Sequence, residues 1–359
     1  LVGLSDRALI RVAGTGAGKF LQGLCTQDIE AVRALPSAAP AAFLSPKGRV
    51  LCDTIVVSRG NDDYLVDVHR DVSKSLLRLL LRHRLREKLT IEDVSATHSM
   101  VALLPHEALP DGAESGDVPM PDCFFADPRF AALGQRAVLP TEEAAELLAK
   151  NCKAAGDHSE HSHGLHDYHR WRLCCGVPEG PTDLKVDSAN PLHGNLDLLN
   201  FVSFSKGCYV GQELTTRTKH RGSVRRRIFT VVAAGEKGQD FIDGLDLAPS
   251  APLPLAALRG AAVWSGSAAE DLPGTEPHDD SEGERTVRSR TPEKEAWQDV
   301  GTLHSTMERV GLATLKCDTP LNHAESFRKS AALSPGTMLA AADGTPLAFR
   351  PPPYAFVDP

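Results

Sequence analysis

The chain has 359 residues, enough for two domains with full cores because a single core stops growing well below that length. Its 42% hydrophobic and 24% charged residues and its net charge of -8 are those of a soluble globular protein, and no run approaches the roughly eighteen apolar residues that a membrane-spanning helix needs. Eight cysteines (Cys25, Cys52, Cys123, Cys152, Cys174, Cys175, Cys208 and Cys317) form no Cys-x-x-Cys pair, which points to reduced thiols in a reducing compartment and excludes a self-contained cluster-binding motif. Iron and sulfur, if held, would be shared with a partner. The first residue is Leu1 and not Met, so the address of the protein is not readable from that end.

In chain order, Leu9 to Val12 predicts a strand, followed by Gly14-Thr15-Gly16-Ala17-Gly18-Lys19 and a helix near Phe20. The glycines invite a phosphate-loop reading, but Ala13 stands where that loop needs Gly and Phe20 where it needs a hydroxyl for magnesium. A glycine-softened turn is the better reading. Ala42 to Leu44 and Val50 to Val57 predict strands around the basic turn Lys47-Gly48-Arg49, the second pairing with Tyr64 to Val68 across Gly60-Asn61-Asp62-Asp63. Asp71 is placed to cap a helix to about Glu87, with Val72, Leu76, Leu79, Leu80 and Leu85 on a core side and Arg78, Arg82 and Arg86 on a solvated one. Leu89 to Asp93 and Met100 to Leu104 predict strands and Pro105 to Pro121 a loop; Leu133 to Leu139 then precedes a helix from Thr141 to about Asn151.

His158, His161, His163, His166 and His169 crowd into twelve residues, and His166 and His169 would share a helix face. A His-x-x-x-His pair with a Glu base is missing, so adventitious metal binding is the better reading. Leu165 to Cys175 predicts a helix carrying Arg172, stopped by Gly176 and Pro178, with Cys174 and Cys175 as a buried pair. Ile228 to Ala233 predicts the strand that begins a β-rich domain. Within it, Ser265 to Asp299 holds ten acidic residues against four basic ones, a balance of -6, and reads as a flexible insertion more than an acidic docking tail. Gly301 to His304, Gly311 to Leu315 and a turn at Pro335-Gly336-Thr337-Met338 fit a small antiparallel barrel or sandwich, with Tyr354 and Phe356 pinning the terminus.

The stretch richest in chemistry is Lys206 to Glu213, Lys-Gly-Cys-Tyr-Val-Gly-Gln-Glu. Gly207 and Gly211 flank the Cys208 thiol and allow backbone conformations closed to other residues, which suits an exposed loop. Lys206, Arg217, Lys219, Arg221, Arg225, Arg226 and Arg227 set seven cations against Glu213 alone, a field of +6 that favours the thiolate, the form that attacks electrophiles and ligates metals. The same strip could attract nucleic acid by counterion release, but only Tyr209 and Phe229 flank it, so stacking platforms are missing.

Asn195, Val202-Ser203-Phe204, Lys206-Gly207-Cys208-Tyr209, Gly211-Gln212-Glu213, Arg217 and Arg221-Gly222 resemble the signature of the YgfZ-type iron-sulfur cluster assembly factors, relatives of the folate-binding aminomethyltransferase (T-protein) of glycine cleavage. The resemblance extends upstream to Phe20-Leu21-Gln22-Gly23, Thr26-Gln27-Asp28, Lys47-Gly48-Arg49 and Gly176-Val177-Pro178-Glu179-Gly180, and downstream to Val310-Gly311-Leu312-Ala313. It implies an α+β fold: an aminomethyltransferase-like domain of antiparallel sheets with packed helices over residues 1–227, and a β-barrel-like domain over 228–359 with the insertion at 265–299. It also implies an assembly factor, not an enzyme. Cys208 would be a surface thiolate ligating an iron-sulfur cluster transiently with an A-type scaffold protein during maturation of 4Fe-4S proteins, since a single thiolate holds a cluster only where another molecule completes the ligand set.

In that picture Lys206 and Arg217 stabilise negative charge on sulfur, Gly207 and Gly211 let the loop protrude, Arg221 shapes it, and Tyr209, Gln212 and Glu213 support it. The partner is protein, with no nucleic acid and no membrane, and the chain is a monomer when alone. The alternative implied by the same relatives is a tetrahydrofolate-dependent one-carbon enzyme with a pocket around Asn195, Arg172 and Arg221. Against it, Cys174 stands where the T-protein relatives carry a folate-contacting acid, and His193 where they often have Glu. This departure is shared by the eukaryotic branch and, with the acidic insertion, implies the mitochondrial matrix.

Overall fold

A computed structural model of the chain describes residues 1–32, 37–105, 123–154, 164–233, 286–290, 298–307, 310–316, 338–341, 346–350 and 352–356. The loop expected at Pro105 to Pro121 lies outside them beyond residue 105, as do His158, His161, His163, Cys317, the Pro335-Gly336-Thr337 turn and the side chains of Cys152 and Phe356. The chain divides into two compact units. The first comprises Leu1–Trp171, Glu179–Pro191 and Leu196–Arg217, and the second comprises Arg172–Pro178, Leu192–Asn195 and Thr218–Pro359.

The first unit carries β1 (Val2–Gly3), β2 (Arg7–Ala13), α1 (Ala17–Gln22), β3 (Ser37–Leu44), β4 (Val50–Ser58), β5 (Asp63–His69), α2 (Arg70–Arg84), β6 (Thr90–Asp93), β7 (His98–Leu103), β8 (Phe125–Ala126), β9 (Gln135–Pro140) and α3 (Thr141–Ala154). The helix α4 (Leu165–Cys174) starts in it, and the short α5 (Gly180–Asp183) lies in it. One antiparallel sheet runs β3-β4-β5-β2-β6 and a second runs β1-β7-β9-β8. Alternation along β2 sends Ile10 and Val12 into an apolar core with Leu21, Val56, Val66, Leu76 and Leu80. The helix α2 buries one stripe there, with Val72, Leu77 and Leu79 packed against it.

Two expectations for α2 are corrected. His69, not Asp71, is the N-cap: its Nδ1 accepts the Asp71 amide at 3.2 Å, while the Asp71 carboxylate sits in the first turn, facing the helix dipole. The helix also stops at Arg84, and Leu85, at φ 47° and 86% exposed, leaves the core side altogether. The glycine-rich segment before α1 is a turn, with Gly14 at φ 121° and Gly16 at φ 92°; the Gly16 amide donates to Asp62 Oδ2 at 3.0 Å. A carboxylate thus occupies the amide that a phosphate would need.

The first unit also holds a buried ionic network. Arg7 grips Asp67 through two bonds of 2.9 and 3.0 Å. Arg136 reaches Asp127 at 2.7 Å, Asp67 at 3.3 Å, Glu179 at 3.2 Å and the Tyr168 hydroxyl, and Arg129 holds Asp127 at 2.8 Å. Paired geometry is what makes these charges tolerable inside a protein.

In the second unit the strands are β10 (Arg226–Ala233), β11 (Thr286–Arg290), β12 (Gln298–Met307), β13 (Val310–Lys316), β14 (Met338–Ala341) and β15 (Pro346–Arg350). Their antiparallel ladders run β10-β13-β12-β11-β14-β15, and β15 pairs back with β10, so the ring of hydrogen bonds closes. The reading of 265–299 as one flexible insertion is corrected by β11. Val287 is fully buried there, and the strand pairs with both β12 and β14; a charge balance averaged over 35 residues hid a five-residue strand. The rest of that stretch before Gln298 lies outside the described residues.

The division between units also differs from a single cut at 227. Segments 172–178 and 192–195 belong with β10, to which they bond: Thr230 Oγ1 donates to Leu173 O at 3.3 Å, and Arg227 Nη1 to Leu192 O at 2.6 Å. Among the described residues no helix is long and apolar enough to cross a membrane.

Replacing Arg136 by Leu should cost about 3–5 kcal/mol in urea unfolding at pH 7, because three carboxylates lose a buried partner. Burial alone would raise the Asp127 carboxyl, but Arg129 and Arg136 more than reverse this and hold it at about 2. Its stabilising contribution is therefore complete above about pH 4 and is lost as pH falls toward about 2, and the gap between wild type and variant should narrow over that window.

Candidate functional site

The thiol of Cys208 is exposed on the first unit. Of the described cysteines, Cys25, Cys52, Cys174 and Cys175 are buried, and burial pushes the thiols of Cys25 and Cys52 up, which makes them poor nucleophiles; Cys123 and Cys208 are exposed.

The loop owes its position to the residues on either side of the sulfur. Lys206 is 9% exposed, and its ammonium donates to three backbone carbonyls, Gln22 at 2.7 Å, Cys25 at 2.9 Å and Gln27 at 2.6 Å. The first of these ends α1, where a carbonyl has no partner within the helix. Burial pulls the ammonium below its ordinary pKa, while its three donors are all used. Lys206 therefore anchors the loop through its side chain. Its Nζ also lies 5.1 Å from the centre of the Tyr209 ring.

Tyr209 is 8% exposed, and burial raises its phenol to about 12, so it is a neutral anchor at physiological pH. Gly207 and Cys208 thus form an exposed two-residue arch between two buried anchors.

Beyond Tyr209 the chain turns into α6 (Gln212–Arg221), with the Gln212 amide donating to Tyr209 O at 3.3 Å and the Val210 amide to Gly23 O at 3.2 Å. Gly211, at φ 80°, packs so tightly that a Cβ would lie 2.5 Å from Ser45 O and 2.8 Å from the Leu44 Cβ. Gly48, at φ 75°, answers it: a Cβ there would meet the Leu214 Cβ at 2.6 Å and Gly211 O at 2.8 Å. The basic turn Lys47-Gly48-Arg49 and the Cys208 signature are thus in backbone contact.

Gly207 behaves otherwise. Nothing lies within 4 Å of a Cβ built on it, so its expected conformational role is not required by the fold. The upstream motifs join the same construction: Gln22 takes the Ile29 amide at 2.7 Å and donates to Asp28 at 2.9 Å, Thr26 Oγ1 accepts the Ala42 amide at 2.9 Å, and Gln27 reaches Pro40 O at 3.2 Å. Their shared purpose, shaping the 22–28 turn that receives Lys206, is invisible to spacing rules.

Glu213 and Arg217 are exposed on α6, and Glu213 sits in its first turn, where a carboxylate suits the helix dipole. Arg221, Arg225 and Arg226 are exposed in the second unit. Arg227 is fully buried, so the Arg strip is not one continuous basic face.

The expected folate-like residues take other parts. Asn195 is 0% exposed at φ 60°, and its amide nitrogen donates to Ile228 O at 2.8 Å and to the Tyr354 hydroxyl at 2.9 Å, while its oxygen accepts the Ile228 amide at 3.3 Å. Tyr354 in turn donates to Gly176 O at 2.7 Å. Arg172 is buried and donates to Val177 O at 3.1 Å. Both are bonded within the second unit, and the Cys174 thiol is buried as well.

No family profile matches the chain. It is 30% identical over 332 residues to the mitochondrial iron-sulfur cluster assembly factor IBA57 homolog of Coccidioides immitis (strain RS), covering 89% of this chain and 71% of that protein. The chain belongs to the IBA57 family of mitochondrial iron-sulfur cluster assembly factors.

The mouse IBA57 protein is 36% identical over 248 residues, which cover 65% of this chain and 66% of the mouse protein; the human one is 36% identical over 241 residues, covering 64% and 65%. The chain thus spans just under two thirds of the length of these two relatives. The structure of glycine cleavage system aminomethyltransferase T from Bartonella henselae superposes with a TM-score of 0.59 at 13% identity, over 98% of this chain and 85% of that one, which establishes an aminomethyltransferase-like fold.

Gly211→Ala should displace the loop and lower Tm by several degrees, whereas Gly207→Ala should melt like the wild type. Loss of partner binding in the stable Gly207→Ala variant would mark Gly207 as a point of close approach by the partner.

Proposed function

We propose that this IBA57-family chain works with an A-type scaffold protein in the mitochondrial matrix to mature 4Fe-4S proteins, with the Cys208 thiolate as its ligand to a cluster shared between the two. The observation that carries this reading is the exposed Gly207-Cys208 arch held between the buried anchors Lys206 and Tyr209. A sulfur presented in this way is open to a second molecule, and its backbone is fixed before that molecule arrives.

The cluster is cargo. On docking, the Cys208 thiol loses its proton to solvent and its sulfur enters one iron's coordination sphere, the scaffold's own thiolates supplying the other positions. One cysteine per chain is then sufficient, which agrees with the absence of any Cys-x-x-Cys pair. Exposed Arg217 on α6 adds positive charge to the face that meets an anionic cluster. The chain is a monomer until the cluster joins it to the scaffold.

The test is anaerobic mixing of the purified chain with an A-type scaffold and an iron-sulfur donor, followed by visible absorption, electron paramagnetic resonance and size-exclusion chromatography. Cys208→Ser should abolish the cluster-bridged complex while leaving the melting temperature within about 1 °C of wild type, as expected for an exposed side chain. An undiminished visible absorbance of the complex formed with Cys208→Ser would overturn the assignment.

A further inference from the structure

Away from the Cys208 loop, the first unit brings together Asp6, in the turn between β1 and β2, His169 on α4 and Glu179 just before α5. One ligand atom from each lies within 4.8 Å of the others. We propose that these three side chains form a binding site for a divalent transition-metal ion of the zinc class, with an open coordination position toward solvent. The proposal is independent of the role assigned to Cys208.

The donor set suits such an ion: one imidazole nitrogen and two carboxylate oxygens, with three protein ligands and a vacant fourth position. His169 Nε2 already lies 3.0 Å from Asp6 Oδ2, close to the separation of about 3.3 Å between neighbouring ligands at metal bonds of about 2.0–2.2 Å in a tetrahedral site. Asp6 and His169 side chains are each 18% exposed, which leaves an entry path, while Glu179 is buried.

Glu179 is also held in place. Its Oε2 receives Arg129 at 2.5 Å, Arg136 at 3.2 Å and Tyr168 at 2.6 Å, so the carboxylate is oriented by three donors independently of any ion. Arg7 Nη1 stands 3.8 Å from its Oε1, beyond hydrogen-bond distance.

A second observation points to a missing cation. Asp6 Oδ1 is buried and accepts no hydrogen bond, which is costly for a carboxylate oxygen unless a cation or donor meets it. The surrounding charge agrees. Arg7, Arg129 and Arg136 supply three positive charges against five carboxylates, Asp6, Asp53, Asp67, Asp127 and Glu179, and the difference of 3 - 5 = -2 is that neutralised by one dication.

His69 lies nearby without being a ligand: its Nδ1 accepts the Asp71 amide, so neutral His69 carries its proton on Nε2, 3.9 Å from Asp6 Oδ2 and beyond hydrogen-bond distance.

The rival arrangement is a simple ion pair between protonated His169 and Asp6, and metal titration separates the two. The full chain would be stripped with chelator and titrated with Zn2+ against a chromophoric competitor in a background carrying Cys123→Ser, Cys152→Ser, Cys208→Ser, Cys317→Ser, His158→Ala, His161→Ala, His163→Ala and His166→Ala, which removes the thiols exposed among the described residues, the two thiols outside them and the rest of the histidine tract. The expected result is one Zn2+ per chain in that background, with affinity falling at least about 100-fold on adding His169→Gln or Asp6→Asn. Co2+ should give a visible d-d band without thiolate charge transfer, and Zn2+ should raise the Tm of the background but not of the two variants. Circular dichroism on each variant would show that it is folded, and both substitutions are near-isosteric at partly exposed positions. Absence of stoichiometric Zn2+ binding in the background, or binding unchanged by both substitutions, would overturn the proposal.

Discussion

The position of the Cys208 thiol depends on a cation that never touches solvent freely. A buried ammonium is costly unless each of its protons finds an acceptor, and a helix end leaves carbonyls that need donors. Lys206 and the 22–27 turn settle both requirements with three bonds of 2.6 to 2.9 Å. Neither half is stable in this form without the other, so the loop is tied to the sheet-bearing body of the first unit by an interaction strong enough to act as a hinge pin. The sulfur itself contributes nothing to that attachment. The support of the thiol is thus independent of its own chemistry.

The second element is the pair Gly48 and Gly211, whose backbones approach so closely that neither position has room for a Cβ. Contact of this kind fixes where α6 begins, and hence where Glu213 and Arg217 stand. The Lys206 clasp and the glycine contact flank the arch and leave Gly207 and Cys208 as its exposed residues. One constraint is a side-chain clasp onto main-chain carbonyls and the other a main-chain contact, and the two hold the arch from either side.

Much of this was legible in the sequence, and the failures have physical causes. The strands β2, β4 and β5 and the helix α2 announced themselves by period, and Cys208 by its setting among glycines and cations. What the one-dimensional reading could not supply was direction. Lys206 counts as a surface charge in any tally of a segment, yet its side chain turns inward to carbonyls some 180 residues away in the chain, at 22–27. Arg227 was misplaced for the same reason, being buried on β10 with its guanidinium on Leu192 O.

Asn195 shows the opposite error. A polar residue within a motif suggests a ligand contact, but a positive φ and an amide used on both sides by Ile228 and Tyr354 make it a backbone brace. The strand β11 was hidden because acidity averaged over a long window outweighs one buried Val287. The segments 172–178 and 192–195, which join the second unit, were beyond reach, since no local pattern says with which strand a short loop will bond.

The fold is shared with an aminomethyltransferase and the family with cluster assembly factors, and the two kinds of chemistry make different demands on polar side chains. An enzyme of the former kind needs polar side chains left open in a pocket, because catalysis requires groups whose bonding is incomplete until substrate arrives. Here such groups are closed: Asn195 donates to Ile228 O and to the Tyr354 hydroxyl, Arg172 donates to Val177 O, and Cys174 is a buried thiol. Closing them stabilises the second unit, since every buried donor that finds a carbonyl removes a desolvation cost. The Cys208 thiol lies instead on a surface arch of the first unit, between two buried anchors.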